Sequence, residues 1–442
     1  MSNTLSAGEL NLDSPDLYKV QQSQSGFDVD WFQAKQAEAW KTWLETPMPQ
    51  RTDERWRFAS LKQVRELGRF QPSEFGVAEQ PELLERSALL QKTAGRIVLL
   101  DDNLVVQDPI SAELASKGVI FTTLTDAIAR HPDLVREYFM QQSPELGSEK
   151  FEALHVALLR NGVFLYVPDG VTVEEPLVVY NWAGKEGGAI FPHTLFVAGK
   201  GSKASLVEFQ QSVSPDSEHL VIANAHLYAA DDAQPSHSII QNWSPQALSF
   251  QLNTSNAQSR TNAKSVTINL GSSLARQEIH GRIFGSESNV ELYSLNVPRG
   301  EQEVDQRTLQ THIGPNSRSD LLFKNALMDK SRTVFSGLII VEEGAQQTDA
   351  YQTNNNLMLS EEAESNSLPG LEIGANDVKC SHGATTGRID ESELFYFQAR
   401  GIPREKAQEL MVFGYFEEII QKLGDEEVVD CVRALVQAKF IH

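Results

Sequence analysis

Between residues 271 and 376 the chain is punctuated by small polar turns at a nearly regular interval. They begin at Gly271, Gly285, Gly314, Lys330, Glu343, Ser360 and Gly374, which are 14, 29, 16, 13, 17 and 14 residues apart, 29 being about twice the unit. A strand of about six to eight residues plus a polar corner fills one unit, and two units make a rung of ~30 residues. One rung cannot bury its inward face, whereas stacked rungs share a continuous core. A parallel β-helix meets that demand. A β-sandwich would place turns every ~8–12 residues and join strands by tight Asn-Gly hairpins, and such turns are scarce between the strands here. No exact repeat accompanies the spacing, so this is not a consensus array. Short β-branched and aromatic runs (Val163–Val167, Leu177–Tyr180, Thr194–Val197, Leu206–Phe209) extend the same pattern toward the amino terminus. The expectation is a mainly β chain, with residues 151–389 forming the β-helix.

The flanks read differently. Residues 1–28 are polar and without periodicity, and read as a flexible lead-in. In residues 29–150 the spacing of Phe32, Trp40, Trp43 and Leu44 predicts a helix that Pro47 and Pro49 end. Further helical stretches are expected over Pro81–Lys92 and Leu124–Met140. Between them, Ile97–Leu100 and Leu104–Val106 flank Asp101-Asp102-Asn103 as a strand pair. Residues 390–442 turn helical: Asp390 caps Glu391–Arg400, Gly401 supplies a left-handed stop, and Pro403 opens a helix to about Leu423. Asp425 caps the last helix. The Pro403–Leu423 stretch carries apolar residues on more than one face, too many for a segment of this size to bury alone. That surplus points to a partner or to the β-helix end, and the segment reads as separable from the strand-rich core.

Composition excludes several function classes. With 60 acidic and 38 basic side chains the net charge is −22, which argues against a phosphate-backbone binder or docking on an anionic membrane. No apolar run approaches the ~20 residues of a membrane helix. Two cysteines cannot staple a secreted scaffold, and the polar first 30 residues do not read as a signal peptide. A reduced, cytosolic compartment is expected. The chain has no P-loop; Gly199-Lys200-Gly201-Ser202-Lys203 is too short and reads as a turn. Gly-x-Ser-x-Gly and His-Glu-x-x-His motifs are absent as well. A carbohydrate-active β-helix enzyme would need clustered carboxylates and is usually secreted.

One segment carries unusual chemistry: Asp377-Val378-Lys379-Cys380-Ser381-His382-Gly383-Ala384-Thr385. On a strand, residues two apart share a face, so Cys380 and His382 project together as thiol and imidazole, both ligands suited to iron, zinc and Fe–S clusters. Two ligands make half a tetrahedral site, and the rest must come from a distant rung or another subunit. The plainer alternative is a structural interaction module in which Cys380 and His382 merely pack. Cys431, bordering the apolar face of the last helix, reads as core.

Residues 349–403, from Asp-Ala-Tyr-Gln-Thr-Asn-Asn-Asn through Asp-Val-Lys-Cys-Ser-His-Gly-Ala-Thr-Thr-Gly and Leu-Phe-Tyr-Phe-Gln to Ala399-Arg400-Gly401-Ile402-Pro403, closely resemble the SufB/SufD family of iron–sulfur cluster assembly proteins. Weaker likenesses lie at Leu154–Pro176 and at Glu54-Arg55-Trp56-Arg57-Phe58. SufB-like members follow the aligned His with Glu and carry an upstream ligand Cys; here Gly383 takes the Glu position and no Cys lies near Ala363. That departure favours the partner of SufB over SufB itself. The resemblance implies a right-handed parallel β-helix flanked by amino- and carboxy-terminal helical domains, and a non-catalytic scaffold role. It also implies pairing with SufB through the β-helices, or a homodimer in isolation. A SufC ATPase would dock on residues 390–442, with Pro403, Leu410, Phe413, Phe416 and Ile420 as candidates. His382 would help to hold a transient Fe–S cluster or iron shared with SufB, with Cys380 in support. Reduced flavin is implied for the complex, with no residue here to place it.

Overall fold

The computed structural model describes residues 10–14, 16–24, 29–73 and 81–440. From Val163 to Arg388 the chain lays strands alternately into two sheets, of 11 and 10 strands when the flanking strands are included. Partners along each sheet lie one rung apart and run parallel. In the first sheet Leu220 pairs with Leu248, Leu248 with Leu274, Leu274 with Glu303, Glu303 with Arg332, and Arg332 with Glu364. The result is the expected parallel β-helix, of about eight turns. All seven expected turns fall at its corners, and the double interval conceals one more at Arg299-Gly300, where Gly300 is left-handed at φ 62°.

Two columns of polar bonds run along the stack. At one corner Gly201, Asp232, Arg260, Glu287, Asn316 and Gln347 all adopt left-handed φ between 56° and 62°. Each donates its backbone N–H to a carbonyl of the next rung: Asp231, Ser259, Ser286, Pro315, Gln346 and Asp377 in turn, at 2.6–3.2 Å. The cross-rung bond compensates a conformation that costs a non-glycine residue roughly 1 kcal/mol or more. Inside the second sheet, Asn269 donates to Asn296 at 2.7 Å, Asn296 to Asn325 at 2.8 Å, Asn325 to Asn356 at 2.7 Å, and Asn356 to the Thr385 carbonyl at 3.1 Å. Buried amides satisfy one another from rung to rung.

Strand residues alternate between the interior and two covered outer faces. Leu177, Val179 and Leu206 point inward, while Val178, Tyr180, Trp182 and Phe209 form an outer face. Amino-terminal helices cover the first sheet, where Trp40, Trp43, Trp56 and Phe151 pack on Leu220, Leu248, Phe250 and Leu274. The Glu54–Phe58 segment is tied down by a buried network. Arg276 bonds Glu278 at 2.7 Å and also Asp305, stacks on Trp56 at 3.7 Å, and donates to the Arg55 carbonyl at 3.0 Å. Arg307 bonds Asp305 at 2.6 Å and the Arg57 carbonyl at 2.8 Å.

Three expectations need correction. Within the supposed lead-in, Leu17–Gln24 is helical, with Leu17 buried and Tyr18 stacked on Trp40 at 5.7 Å; residues 1–9, 15 and 25–28 lie outside the described residues. Residue 150 is not a domain boundary. Glu149–Leu158 is a buried helix, and Gly95–Leu100 pairs in parallel with Leu177–Ala183, so the β-helix recruits its first strand from the amino-terminal region. The carboxy-terminal helices, Glu391–Gln398, Arg404–Ile420 and Glu426–Ala438, are not a separable end domain either. Val412, Phe416, Ile419, Ile420, Val428, Val432 and Val436 share one core with Tyr180, Phe209, Ile268, Tyr293 and Leu295 on the second sheet.

Corner packing yields a prediction. A Cβ on Gly314 would lie 2.2 Å from the Gly285 carbonyl oxygen, whereas one on Gly387 would meet nothing within 4 Å. Gly314→Ala is expected to destabilise the chain by about 1–3 kcal/mol in denaturant titration, and Gly387→Ala by less than about 0.5 kcal/mol. Equal midpoints for the two variants would contradict the stacked-corner account.

Candidate functional site

The last rung consists of two ten-residue strands, Glu364–Ile373 and Lys379–Arg388, each the terminal strand of its sheet. Among the described residues nothing pairs with their outer edges, so a row of backbone donors and acceptors is open to another chain. Cys380 and His382 stand on this edge. Cys380 is in register with Ala350 and His382 with Gln352, both buried interior residues. Alternation therefore puts thiol and imidazole together on the inward side of an uncapped rung.

Their environments differ. Cys380 is half-buried against Ile339, Val341, Ala345, Ala350 and Ala375. Burial pushes its thiol pKa up, the Asp349 charge adds to this, and a hydrogen bond with the Ala350 backbone opposes it. The isolated chain therefore presents a thiol, which becomes a strong ligand only when a cation or partner draws off the proton. His382 is exposed. Among the described residues no three His, Cys, Asp or Glu side chains come together as a metal site.

The buried histidines contrast with it. His155 donates its Nδ1–H to the Ile222 carbonyl (2.7 Å) and accepts at Nε2 from His193 Nδ1 (3.0 Å), beneath the amino-terminal helices. Burial lowers its pKa to about 4 and that of His226 to about 3. These are structural imidazoles without access to solvent. Cys431 packs against the core of the second sheet, with its Sγ 3.8 Å from the Leu89 carbonyl.

The candidates on the carboxy-terminal helices divide. Phe416 and Ile420 are fully buried against the β-helix and offer no docking surface; Phe413 is half-buried; Pro403 and Leu410 are exposed. Sequence reasoning missed Phe395 and Tyr396, which are 70% and 56% exposed; Tyr396, Phe397 and Met411 line a shallow groove. The signal was the Phe395-Tyr396-Phe397 run on a helix that buries only Leu394.

Comparison with known proteins decides the family. The model described as "SUF system FeS cluster assembly, SufBD core domain" matches residues 181–415, and that of the SufBD protein N-terminal region matches 15–179. The chain belongs to the SufBD family. Its SufBD core takes in the whole last rung, including Cys380 and His382. The iron–sulfur cluster assembly protein SufD of Bacillus subtilis is 30% identical over 75% of this chain and 76% of its own length. SufD of Escherichia coli is 28% identical over 89% of each. An iron–sulfur cluster assembly SufBD family protein of Pyrococcus horikoshii is 27% identical over 80% of this chain and 79% of its own. The family resemblance of residues 349–403 is borne out. No helix among the described residues is long and apolar enough to cross a membrane.

The Cys380 environment is testable. Because Asp349 raises the thiol pKa, Asp349→Asn is expected to increase the thiolate fraction near pH 8, speeding alkylation of Cys380 by about twofold or more. Peptide mass spectrometry after timed iodoacetamide treatment reads the rate. An unchanged or slower rate would contradict the electrostatic assignment.

Proposed function

We propose that this chain is a SufD-type, non-catalytic scaffold subunit of an iron–sulfur assembly complex, pairing with SufB through its unfinished last rung. The observation that carries the reading is the placement of Cys380 and His382 side by side on that open edge. An incoming strand that completes the rung brings its own side chains onto the same two donors. Neutral imidazole of His382 supplies one ligand to iron or a nascent cluster, which is cargo rather than a resident cofactor. Cys380, held as a thiol by burial, supports the site. ATP hydrolysis belongs to a SufC-type partner, which docks on the carboxy-terminal helices through their exposed apolar side chains Phe395, Tyr396 and Leu410. A shared metal site also needs an exact register, which ten-residue strands held by the interior asparagine ladder supply.

Two experiments test this. In the complex with SufB and SufC, His382→Ala is expected to leave assembly intact and to lower bound iron and sulfide about tenfold or more. The plainer alternative, in which His382 only packs, predicts a lower melting temperature with normal cluster yield per folded complex; that result would remove the ligand assignment. Removing residues 390–442 would strip the second sheet of its cover, so SufC docking is better probed by Phe395→Ser, Tyr396→Ser and Leu410→Ser together. These exposed positions should weaken SufC binding about tenfold or more while SufB pairing persists. Unchanged SufC affinity would move the docking site elsewhere.

A further inference from the structure

A cleft of about 700 Å³ opens between the segment 51–66 and the start of the strands Glu303–His312 and Arg332–Val341. Arg51, Arg57, Lys62 and Arg65 line it, joined by Arg332 at its rim. The chain as a whole carries a net charge of −22, so a cleft lined by these five cations runs against its overall balance. Arg332 is shared between Glu303 at 3.4 Å and Glu364 at 3.5 Å. Among the ion pairs of the described residues none involves Arg51, Arg57, Lys62 or Arg65. Four exposed cations thus share the cleft with two carboxylates that are already engaged, Glu66 with Arg69 at 3.2 Å and Glu303 with the Ser60 N–H and Arg332.

The segment that displays them is fixed in place. The Arg55 and Arg57 carbonyls accept from the buried guanidinium groups of Arg276 and Arg307, Trp56 Nε1 donates to the Gly147 carbonyl at 2.8 Å, and the Ser60 N–H donates to Glu303 at 2.7 Å. Phe58, between these anchors, is left-handed at φ 66° and 41% exposed. A bulky residue keeps that conformation only where its surroundings impose it. The backbone that carries Arg57 is therefore fixed before any ligand arrives, which suits a site prepared for an anion.

We propose that this cleft binds a small anion of the diphosphate class, either free inorganic pyrophosphate or the phosphate tail of a nucleotide. Its volume is on the scale of small-molecule sites, roughly 300–1,000 Å³. Guanidinium groups bind phosphate oxygens in pairs, and several cations favour two linked phosphates over one. The proposal does not rest on the proposed function, although Arg332 also pairs with Glu364 at the start of the last rung.

The test is calorimetric titration of the full-length protein with inorganic pyrophosphate, inorganic phosphate and a nucleoside diphosphate at about 0.1 M salt or below, where exposed charges are least screened. Saturable one-to-one binding of pyrophosphate, stronger than that of phosphate, is expected. The variant Arg57→Gln/Lys62→Gln/Arg65→Gln should bind at least about tenfold more weakly with unchanged melting temperature. A control, Lys117→Gln/Arg130→Gln/Arg136→Gln, makes the same change in net charge at exposed positions elsewhere and should bind as the parent does. Tighter binding of the nucleoside diphosphate than of pyrophosphate assigns the site to a nucleotide tail; equal or weaker binding assigns it to the free anion. No saturable binding of either compound, or equal loss in both variants, overturns the proposal.

Discussion

Parallel stacking is the constraint on which everything else rests. Each strand of the β-helix takes its hydrogen bonds from a strand one rung away, so no rung is satisfied until the next is laid down. The amino-terminal end answers this by closing with antiparallel strands, Asn103–Asp108 on one sheet and Ile120–Thr123 on the other. Among the described residues the carboxy-terminal end has no such closure. The chain instead turns back after Arg388 and lays its last helices along the flank of the second sheet. The unmet bonding of the final rung and the placement of Cys380 and His382 on it are one feature.

How the stack holds its register explains why such an edge can serve as a template. Hydrophobic burial alone tolerates slippage wherever both strand faces are apolar. Here the corner column of left-handed residues and the interior asparagine ladder fix each rung against the next at two places. Asn356 carries the ladder to Thr385, three residues beyond His382. Donors held this way arrive at an interface with their spacing already set, so little ordering cost remains when a partner supplies the missing ligands.

Much of the architecture is legible in the sequence because corners need small polar residues whatever the strands contain. The seven turns from Gly271 to Gly374 give the rung length, and Cys380 and His382 can be placed on one strand face by their spacing. The unseen features have physical reasons. Left-handed corner positions are filled by Gly201, Asp232, Arg260, Glu287, Asn316 and Gln347, because a cross-rung hydrogen bond replaces the usual demand for glycine; the repeat exists in the backbone and not in the residue types. Strands buried on both faces, such as Leu177–Ala183, read as continuous apolar runs that hide which side awaits a helix. The sequence therefore leaves open whether the apolar surplus of Pro403–Leu423 faces a partner or the β-helix; Val412, Phe416 and Ile420 cover Tyr293 and its neighbours on the β-helix. Glu149–Leu158 is apolar around most of its girth and carries little helical periodicity, which is why it was counted with the strands.

The central claim is that function resides where an unfinished rung meets a second chain. Hydrogen–deuterium exchange on the protein alone and in complex with SufB addresses it directly. The account predicts new protection concentrated in Glu364–Ile373 and Lys379–Arg388, including the amides that point away from the neighbouring strands. Unchanged exchange in both strands, with protection confined to other surfaces, would contradict it.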